Sequence, residues 1–246
     1  MAETTRKSFE LFCRAALEPK PLDFWAIEGV HGIGKTTIIN EFKKNGYTVF
    51  NELFSELLPT DEKLTDYDLL FAETKWQWEY FKRLDQYCQN YFAAKISPPK
   101  HGIVIIDRSY LTSALYTDNP NYADNLLGIG ELLERKICEK YPIKYNILFL
   151  SRLINNEYYD ILHKRIEKEE WRKNLNETDR TRIFRFICKA KSPQYLKHWT
   201  RTLTLEKFEP TSEEVKTVYM AMMNGDILEH SMIEEEFHKM LFGWDY

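Results

Sequence analysis

A glycine-rich segment has the residue types and the spacing of a phosphate-binding loop. Residues 29–37 read Gly-Val-His-Gly-Ile-Gly-Lys-Thr-Thr, which fits the pattern G-x-x-x-x-G-K-[ST] without a mismatch. Glycines let successive backbone N–H groups turn toward phosphate oxygens, and a helix that starts near Lys35 would add its positive end. In that arrangement Lys35 reaches the β- and γ-phosphates of a nucleotide, and the hydroxyl of Thr36 binds Mg²⁺. The alternative is a glycine-rich turn that only joins a strand to a helix.

The segment therefore predicts two cofactors, ATP as the phosphate donor and Mg²⁺. An apolar strand before the loop and a helical pattern after it provide the expected context. Thr37 is expected to start the helix and to make a secondary phosphate contact. The predicted cofactor contacts are Gly29, His31, Gly32, Ile33, Gly34, Lys35, Thr36 and Thr37.

A second pair of candidate residues, Asp107 and Arg108, follows an apolar run at 103–106. A carboxylate at the end of such a strand lies beside the phosphate-binding loop in this architecture, and it would hold Mg²⁺ directly or through water. The guanidinium of Arg108 offers a bidentate fork for a phosphate or an acceptor, so Arg108 is a predicted catalytic and substrate-binding residue. The alternative for Asp107 is the N-cap of a following helix.

Glu52 and Lys75 indicate different acceptors. A neutral hydroxyl benefits from a carboxylate base within hydrogen-bond reach, which Glu52 would supply. A phosphate acceptor is already ionised and needs cations, which Lys75 and Arg108 would supply. Both Glu52 and Lys75 are predicted to bind substrate, and Glu52 is also a predicted catalytic residue. The alternatives are an exposed carboxylate at a strand end and a solvated helix lysine.

Phe71 and Gln77 complete the predicted substrate-binding set. Both lie in the same aromatic-rich stretch as Lys75. The ring of Phe71 would stack on a flat base, and the amide of Gln77 would read its edge. The spacing of the aromatic residues in this stretch also fits the buried face of an ordinary helix.

These residues need a sheet and helices to position them. Apolar stretches at 22–28, 47–52, 102–107, 145–150 and 203–207 are predicted strands, and 35–44 and 69–92 are predicted helices. Continuous apolar strands separated by helices indicate a parallel sheet that is buried on both faces. The predicted fold is α/β, a three-layer α/β/α sandwich with a central parallel sheet of the P-loop NTPase type, in one domain over 1–246. Ligands of such sheets bind outside the carboxyl ends of the strands, where Glu52 and Asp107 fall.

Composition and charge narrow the choice of partner and compartment. The formal net charge is −4, which argues against long nucleic acid or an anionic membrane as a partner. Apolar runs such as 103–106 and 147–150 are too short to span a bilayer, and residues 1–12 do not have the apolar core of a secretory signal. The four cysteines are well separated in sequence, which favours reduced thiols and a cytoplasmic protein.

These motifs together resemble those of the thymidylate kinase and deoxynucleoside kinase group. Glu28-Gly29 opens the loop as in both branches, and the loop itself is similar to that of herpesvirus thymidine kinases. Asp107-Arg108-Ser109 resembles the Asp-Arg-Tyr and Glu-Arg-Ser motifs of the two branches, and residues 69–75 resemble the acceptor-contacting helix of thymidylate kinases. The resemblance implies a lid over about 155–190 with a catalytic Arg165, and a homodimer. A helical tail is predicted over about 213–246.

Departures from both branches leave the acceptor open. No arginine accompanies Asn51-Glu52 to hold an acceptor phosphate, and Leu53 replaces the proline that usually follows the base of deoxynucleoside kinases. The larger number of matches favours ATP- and Mg²⁺-dependent transfer to a deoxynucleoside monophosphate, thymidylate, in DNA precursor synthesis. A deoxynucleoside kinase with Glu52 as its base is the alternative, and a regulatory nucleotide-binding module is the second.

Overall fold

Parallel strands form the central sheet of the computed structural model, which describes residues 19–30, 32–52, 66–117, 119–152, 179–205 and 211–223. The order across the five-stranded sheet is β2-β3-β1-β4-β5, and every neighbouring pair is parallel. The strands are β1 Leu22–Gly29, β2 Thr48–Phe50, β3 Ile103–Asp107, β4 Ile143–Arg152 and β5 Arg201–Leu205. The prediction of a parallel sheet is confirmed, although β2 is shorter than predicted, β4 is longer and β5 lies two residues earlier.

Helices flank the sheet on both sides, which confirms the three-layer α/β/α architecture. Their bounds are α1 Lys35–Lys44, α2 Asp66–Phe92, α3 Leu111–Tyr116, α4 Pro120–Lys140, α5 Asp179–Ala190, α6 Pro193–Leu196 and α7 Ser212–Met223, with a short 3₁₀ turn at Lys100–Gly102. Helix α1 begins and ends where the sequence predicts. Within the described ranges, no helix combines the length and the apolar character that crossing a bilayer requires.

The middle strands are apolar because both of their faces are covered. Every residue from Ile103 to Ile106 in β3 is buried, and in β1 Phe24 and Ile27, which lie on opposite faces of the strand, are both buried. Burial on both faces is the condition under which strands lose the polar alternation of a half-exposed sheet. The two strands also pair in register, with Ile27 opposite Asp107. The two predicted site segments are therefore side by side.

Helix α2 has two different faces. Trp76, Tyr80 and Phe81 are buried on the face that packs into the core. Tyr67, Phe71 and Trp78 lie on the opposite face, with Phe71 68% exposed. The interpretation of the aromatic spacing as a buried helix face therefore holds for the first group and fails for the second, because residues four and seven apart stay on one face whatever that face contacts.

The strand order locates the ligand crevice. Strand β1 lies between β3 and β4, and the chain continues from β1 toward β2 on one side and reaches β4 on the other only after β3. Crevices at such reversals open outside the carboxyl ends of the strands. Here those ends carry Gly29, Asp107 and Arg152.

Candidate active site

The glycine-rich loop between β1 and α1 has backbone angles that only glycine adopts easily. Gly34, which precedes α1, has φ +97°, and Gly32 has φ +82°. At Gly29 a Cβ would lie 2.4 Å from the carbonyl oxygen of Leu150 and 2.5 Å from Cδ1 of Ile33. Gly29 therefore leaves no room for a side chain against β4, and the positive φ angles of Gly32 and Gly34 are of the kind that lets backbone N–H groups form an anion-binding concavity.

Lys35 is folded back onto this loop. Its Nζ donates hydrogen bonds to the carbonyl oxygens of Gly29, at 2.5 Å, and Val30, at 2.9 Å. Burial and the positive charge of Arg108 together lower the pKa of Lys35 to about 7, against the opposing effect of the carboxylates of Glu28, Asp107 and Glu52. A phosphate oxygen in the loop would restore the balance of charge around this ammonium group.

Arg108 follows β3 in an unusual backbone conformation. Its φ is +71°, which is costly for a residue with a side chain. The guanidinium lies 2.9 Å from the carboxylate of Glu52, measured from Nε to Oε1, and 5.4 Å from the ring centre of Tyr116. Burial would lower the pKa of Arg108, but Tyr116 and the carboxylates of Glu52 and Glu28 outweigh it, so the pKa lies above its ordinary value. The structure thus brings together two predicted catalytic residues, Glu52 and Arg108.

Glu28 is a component of the site to which the sequence motifs assign no role. It is fully buried near the end of β1, and its carboxylate accepts hydrogen bonds from Gly29, Ser109 and Thr112. The available signal is a carboxylate directly after the apolar run 24–27, because a carboxylate has to find partners when it is buried. Its identification needed the three-dimensional position of Ser109 and Thr112.

Arg152 is a second residue that the sequence interpretation missed. It ends β4, is buried, and places Nη2 3.5 Å from the carbonyl oxygen of Ile33 in the glycine-rich loop. An arginine two residues after the apolar run 147–150 is the available signal, since strand ends meet at the ligand edge of the sheet.

Thr36 and Asp107 fit the chemistry of a magnesium site. Both offer oxygen ligands, which Mg²⁺ prefers, and Thr36 is exposed at the first turn of α1. Burial raises the pKa of Asp107 to about 6, and the charges of Lys35 and Arg108 oppose that shift. No group of three or more acidic, histidine or cysteine side chains suited to a metal occurs in the part of the chain that the structure describes. Two protein oxygen ligands, from Thr36 and Asp107, suit a Mg²⁺ ion that nucleotide phosphates and water hold for the most part.

The predicted substrate residues on α2 are on different faces. Gln77 is fully buried, and its Nε2 donates to the carbonyl oxygens of Tyr110 and Leu126, both at 2.9 Å. Its Oε1 has no hydrogen-bond partner among the described residues. Phe71 and Lys75 are exposed on the other side of the helix. In this arrangement, a substrate beside α2 therefore cannot contact Gln77 together with Phe71 and Lys75.

Two predicted site residues, His31 and Arg165, lie outside the described residues, as does most of the predicted lid. The contacts of Gly32, Ile33, Gly34, Thr36 and Thr37 with a nucleotide stay predictions, because they are defined by a ligand. Their positions in the loop and in the first turn of α1 are those that the motif requires.

A parallel sheet of this strand order with a glycine-rich loop after β1 defines a P-loop phosphate-binding fold. The structure is similar to thymidylate kinase from Candida albicans, with a TM-score of 0.50 and 12% sequence identity over 85% of this chain and 96% of that one.

Lower similarity is found to other solved structures. YorR from Bacillus subtilis, solved in complex with phosphorylated GDP, has a TM-score of 0.43 and 15% identity over 87% of this chain and 98% of that one. Shikimate kinase from Acinetobacter baumannii, solved with shikimate, has a TM-score of 0.43 and 11% identity over 87% and 99% of the two chains. No protein-family model matches the sequence, and no curated protein matches it.

Proposed function

We propose that this protein is a kinase that transfers the terminal phosphoryl group of ATP to a nucleoside or a nucleoside monophosphate. The observation that carries the proposal is the meeting of two elements at one edge of the sheet. The phosphate-binding loop with Lys35 ends β1, and the ion pair of Glu52 with Arg108 lies at the end of β3, the strand beside it. One element suits a phosphate donor, and the other suits an acceptor.

Each side chain has a role that follows from its charge and position. ATP with Mg²⁺, when bound, supplies the phosphoryl group and neutralises part of its charge. Lys35 would leave the carbonyl oxygens of its own loop and donate to the donor phosphates. Arg108 would stabilise the charge that builds up on the transferred group, and Thr36 and Asp107 would hold Mg²⁺. Arg165 in the predicted lid would add a further cation.

Among the two acceptors, the geometry favours the 5′-hydroxyl of a deoxynucleoside. Glu52 stands 2.9 Å from Arg108 and keeps 31% of its side chain exposed, so it is oriented and still accessible. A carboxylate in this place accepts a hydroxyl proton well, whereas it would repel an acceptor phosphate. Lys75, the cation expected to hold such a phosphate, lies on the exposed face of α2.

Gln77 would contact a nucleoside base only after a rearrangement, because its side chain is fully buried. Its buried Oε1 is an acceptor to which no described residue donates, while its Nε2 is held by Tyr110 and Leu126. After such a rearrangement, a base with an N–H at its edge would supply the missing donor. Phe71, exposed on the outer face of α2, would need the chain to rearrange before it stacked on the same base.

Thymidylate is the second candidate acceptor. It is supported by the resemblance of Asp107-Arg108-Ser109 to the thymidylate kinase motif, and thymidylate kinase from Candida albicans has this fold. A homodimer and a role in DNA precursor synthesis remain parts of the proposal that rest on the same resemblance. A cytoplasmic location is a further part, and it rests on the four separated cysteines.

A transfer assay separates these functions. The purified protein is incubated with γ-labelled ATP, Mg²⁺ and either thymidine, other deoxynucleosides or thymidylate. We expect transfer to a deoxynucleoside, and we expect Glu52→Gln to abolish it. Transfer to thymidylate alone, with Glu52→Gln active, would establish the second candidate. ATP binding without transfer to any acceptor would refute the kinase and favour a regulatory nucleotide-binding module.

A further inference from the structure

We propose that Glu28 is a positioning residue that fixes Arg108 for phosphoryl transfer by tying the turn after β3 to the start of the phosphate-binding loop. This inference rests on the proposed function, because it assigns Arg108 a role in that transfer. Glu28 itself is fully buried near the end of β1, so it reaches neither the donor nor the acceptor.

The contacts of Glu28 join two segments that are far apart in sequence. Its Oε1 accepts from the backbone N–H of Gly29, at 2.9 Å, which is the first residue of the loop. Its Oε2 accepts from the N–H of Ser109 at 3.1 Å, from the hydroxyl of Ser109 at 2.9 Å and from the hydroxyl of Thr112 at 2.5 Å. All four partners can donate, which suits a carboxylate, because that group only accepts. One side chain thus ties the loop to the turn after β3.

The turn after β3 contains a residue, Arg108, whose backbone conformation has to be stabilised by its surroundings. Arg108 has φ +71°, a conformation that persists in a residue with a Cβ only where its surroundings fix it. The N–H of Arg108 donates to the carbonyl oxygen of Ile27 at 3.1 Å, and the hydroxyl of Tyr80 donates to the carbonyl oxygen of Arg108 at 3.4 Å. Glu28 fixes the next residue, Ser109, through both its backbone and its hydroxyl. Glu28 therefore completes the set of contacts that sets the direction of Arg108.

Two carboxylates lie near the guanidinium of Arg108, and they differ in exposure. Nε lies 2.9 Å from Glu52, and Nη1 lies 3.7 Å from Glu28. Glu52 is partly exposed and is free to turn toward an acceptor, whereas Glu28 is enclosed and bound on both oxygens. When Glu52 engages the acceptor, Glu28 would remain as the counter-charge that keeps Arg108 in place.

The test uses Glu28→Gln, which keeps the shape and removes the charge. The new amide must turn its N–H₂ toward at least one of the N–H groups that the carboxylate accepted, so the turn shifts. We expect kcat to fall about 100-fold, as for a misplacement of about 1 Å, while KM for ATP changes less than about threefold. In an Arg108→Ala background the same change should cost less than about threefold in kcat, because the residue through which it acts is gone. Equal losses in both backgrounds, or an unchanged kcat, would overturn the proposal.

Two further variants separate positioning from folding. Thr112→Val removes one donor to Glu28 and leaves the charge, so kcat should fall about tenfold with an unchanged KM for ATP, and this variant decides the matter if Glu28→Gln does not fold. Ser113→Ala is the matched control, since Ser113 is the buried neighbour on α3 whose hydroxyl does not contact Glu28. It should keep wild-type kcat. A loss in Ser113→Ala as large as that in Thr112→Val would contradict the proposal.

A readout without turnover keeps this inference separate from the proposed function. The ¹⁵N-labelled Nε–Hε signal of Arg108, identified by its loss in Arg108→Lys, reports the surroundings of the guanidinium. We expect Glu28→Gln to shift this signal and speed its exchange with water, beyond any change in Ser113→Ala. An unchanged signal refutes the positioning role. A changed signal in a protein that phosphorylates no acceptor would refute the kinase and leave the hold of Glu28 on Arg108 intact.

Discussion

Two groups of ion pairs in this protein have similar distances and very different surroundings. At the ligand edge of the sheet, Arg108 lies 2.9 Å from Glu52, and the arginine side chain is 10% exposed. At the far end of α4, Lys140 lies 2.6 Å from Asp85 of α2, and the lysine side chain is 52% exposed. Tyr141 donates to the same carboxylate at 2.9 Å. The second group ties two helices together at the surface, away from the candidate site.

The comparison shows that burial, more than distance, decides how strongly the charges of an ion pair respond to their surroundings. Beside the first group, at the same edge of the sheet, burial lowers the pKa of Lys35 to about 7 and raises that of Asp107 to about 6. In the second group burial raises the pKa of Asp85, but hydrogen bonds from Lys140 and Tyr141 outweigh it, so the pKa lies below its ordinary value. Charges that water does not reach respond strongly to one another and to a bound phosphate. Ion pairs at the surface contribute little to stability, because water screens their charges.

The largest effect is expected from Lys35→Ala. The buried ammonium lies within the loop that would hold the donor phosphates, so its loss should lower kcat/KM about 1,000-fold, as for other donors aimed at developing negative charge. Steady-state transfer from ATP measures the effect. Lys43→Ala is the control, because Lys43 is exposed on the same helix α1, and it should keep wild-type activity. Equal activity of the two variants would mean that burial of Lys35 has no bearing on the reaction.

The next largest effect concerns stability and compares the two groups directly. Arg108→Met should lower the free energy of unfolding by about 3 kcal/mol, because it leaves the buried Glu28 without its counter-charge. Lys140→Met, at the exposed pair, should lower it far less. Urea unfolding of both variants at pH 7 measures the difference. A loss at Lys140 as large as that at Arg108 would show that burial does not separate the two groups.

The sequence was sufficient for the parts of the molecule that repeat a pattern. The continuous apolar run at 103–106 indicated a buried parallel strand, and the phosphate-loop pattern located the turn between β1 and α1 correctly. Strand ends were less accurate, since hydrogen bonding to a neighbour rather than composition decides where a strand stops. For β2 the neighbour is β3, and the pairing ends at Phe50, two residues before Glu52.

The network within the site could not be predicted, because it depends on contacts between distant segments. Glu28 and Thr112 are far apart in sequence, yet they share a hydrogen bond. Residue type alone makes Phe71, Lys75 and Gln77 predicted substrate contacts within one helix. Residue type does not tell which face of a helix meets the sheet when aromatic side chains occur on both. Only packing separates the buried Gln77 from the exposed Phe71.

A smaller effect is expected within α4, which packs near the candidate site and also carries Lys140. At Gly130 a Cβ would lie 2.2 Å from Cδ2 of Tyr110, a ring that is buried beside Phe81 and Tyr145. Gly130→Ala should therefore cost about 2 kcal/mol of stability through overpacking. Tyr110 would have to move, and Arg108 lies two residues before it, so the variant should also lose activity. Thermal and urea unfolding, together with the transfer assay, measure these effects.

Gly128→Ala is the matched control for that change. Gly128 is in the same helix, is exposed, and has nothing within 4 Å of the position that a Cβ would take. Alanine there should stabilise the protein by about 0.5–1 kcal/mol, because glycine is the poorer helix former. If both substitutions stabilised the protein, the close approach of Tyr110 to α4 would be wrong.

The smallest effect is expected at the exposed ion pair of Asp85 with Lys140. Asp85→Asn removes the charge that Lys140 and Tyr141 contact, and it should lower the free energy of unfolding by only about 0.5 kcal/mol at pH 7. The pKa of Asp85 is lowered by folding, so its contribution is complete above the ordinary pKa of an aspartate, near 4, and is lost as the pH falls through the folded-state value. The difference between wild type and Asp85→Asn should be constant from pH 7 to about pH 5 and shrink below about pH 4.

Urea unfolding across this pH range, with Lys140→Met in parallel, tests the assignment. The double variant should lose no more than the two single variants together, since both remove one and the same contact. Added salt should reduce the small difference at pH 7, because an exposed pair is screened. A large loss in Asp85→Asn that persists into acid would place this carboxylate with the buried group around Arg108, and the distinction between the two groups would fail.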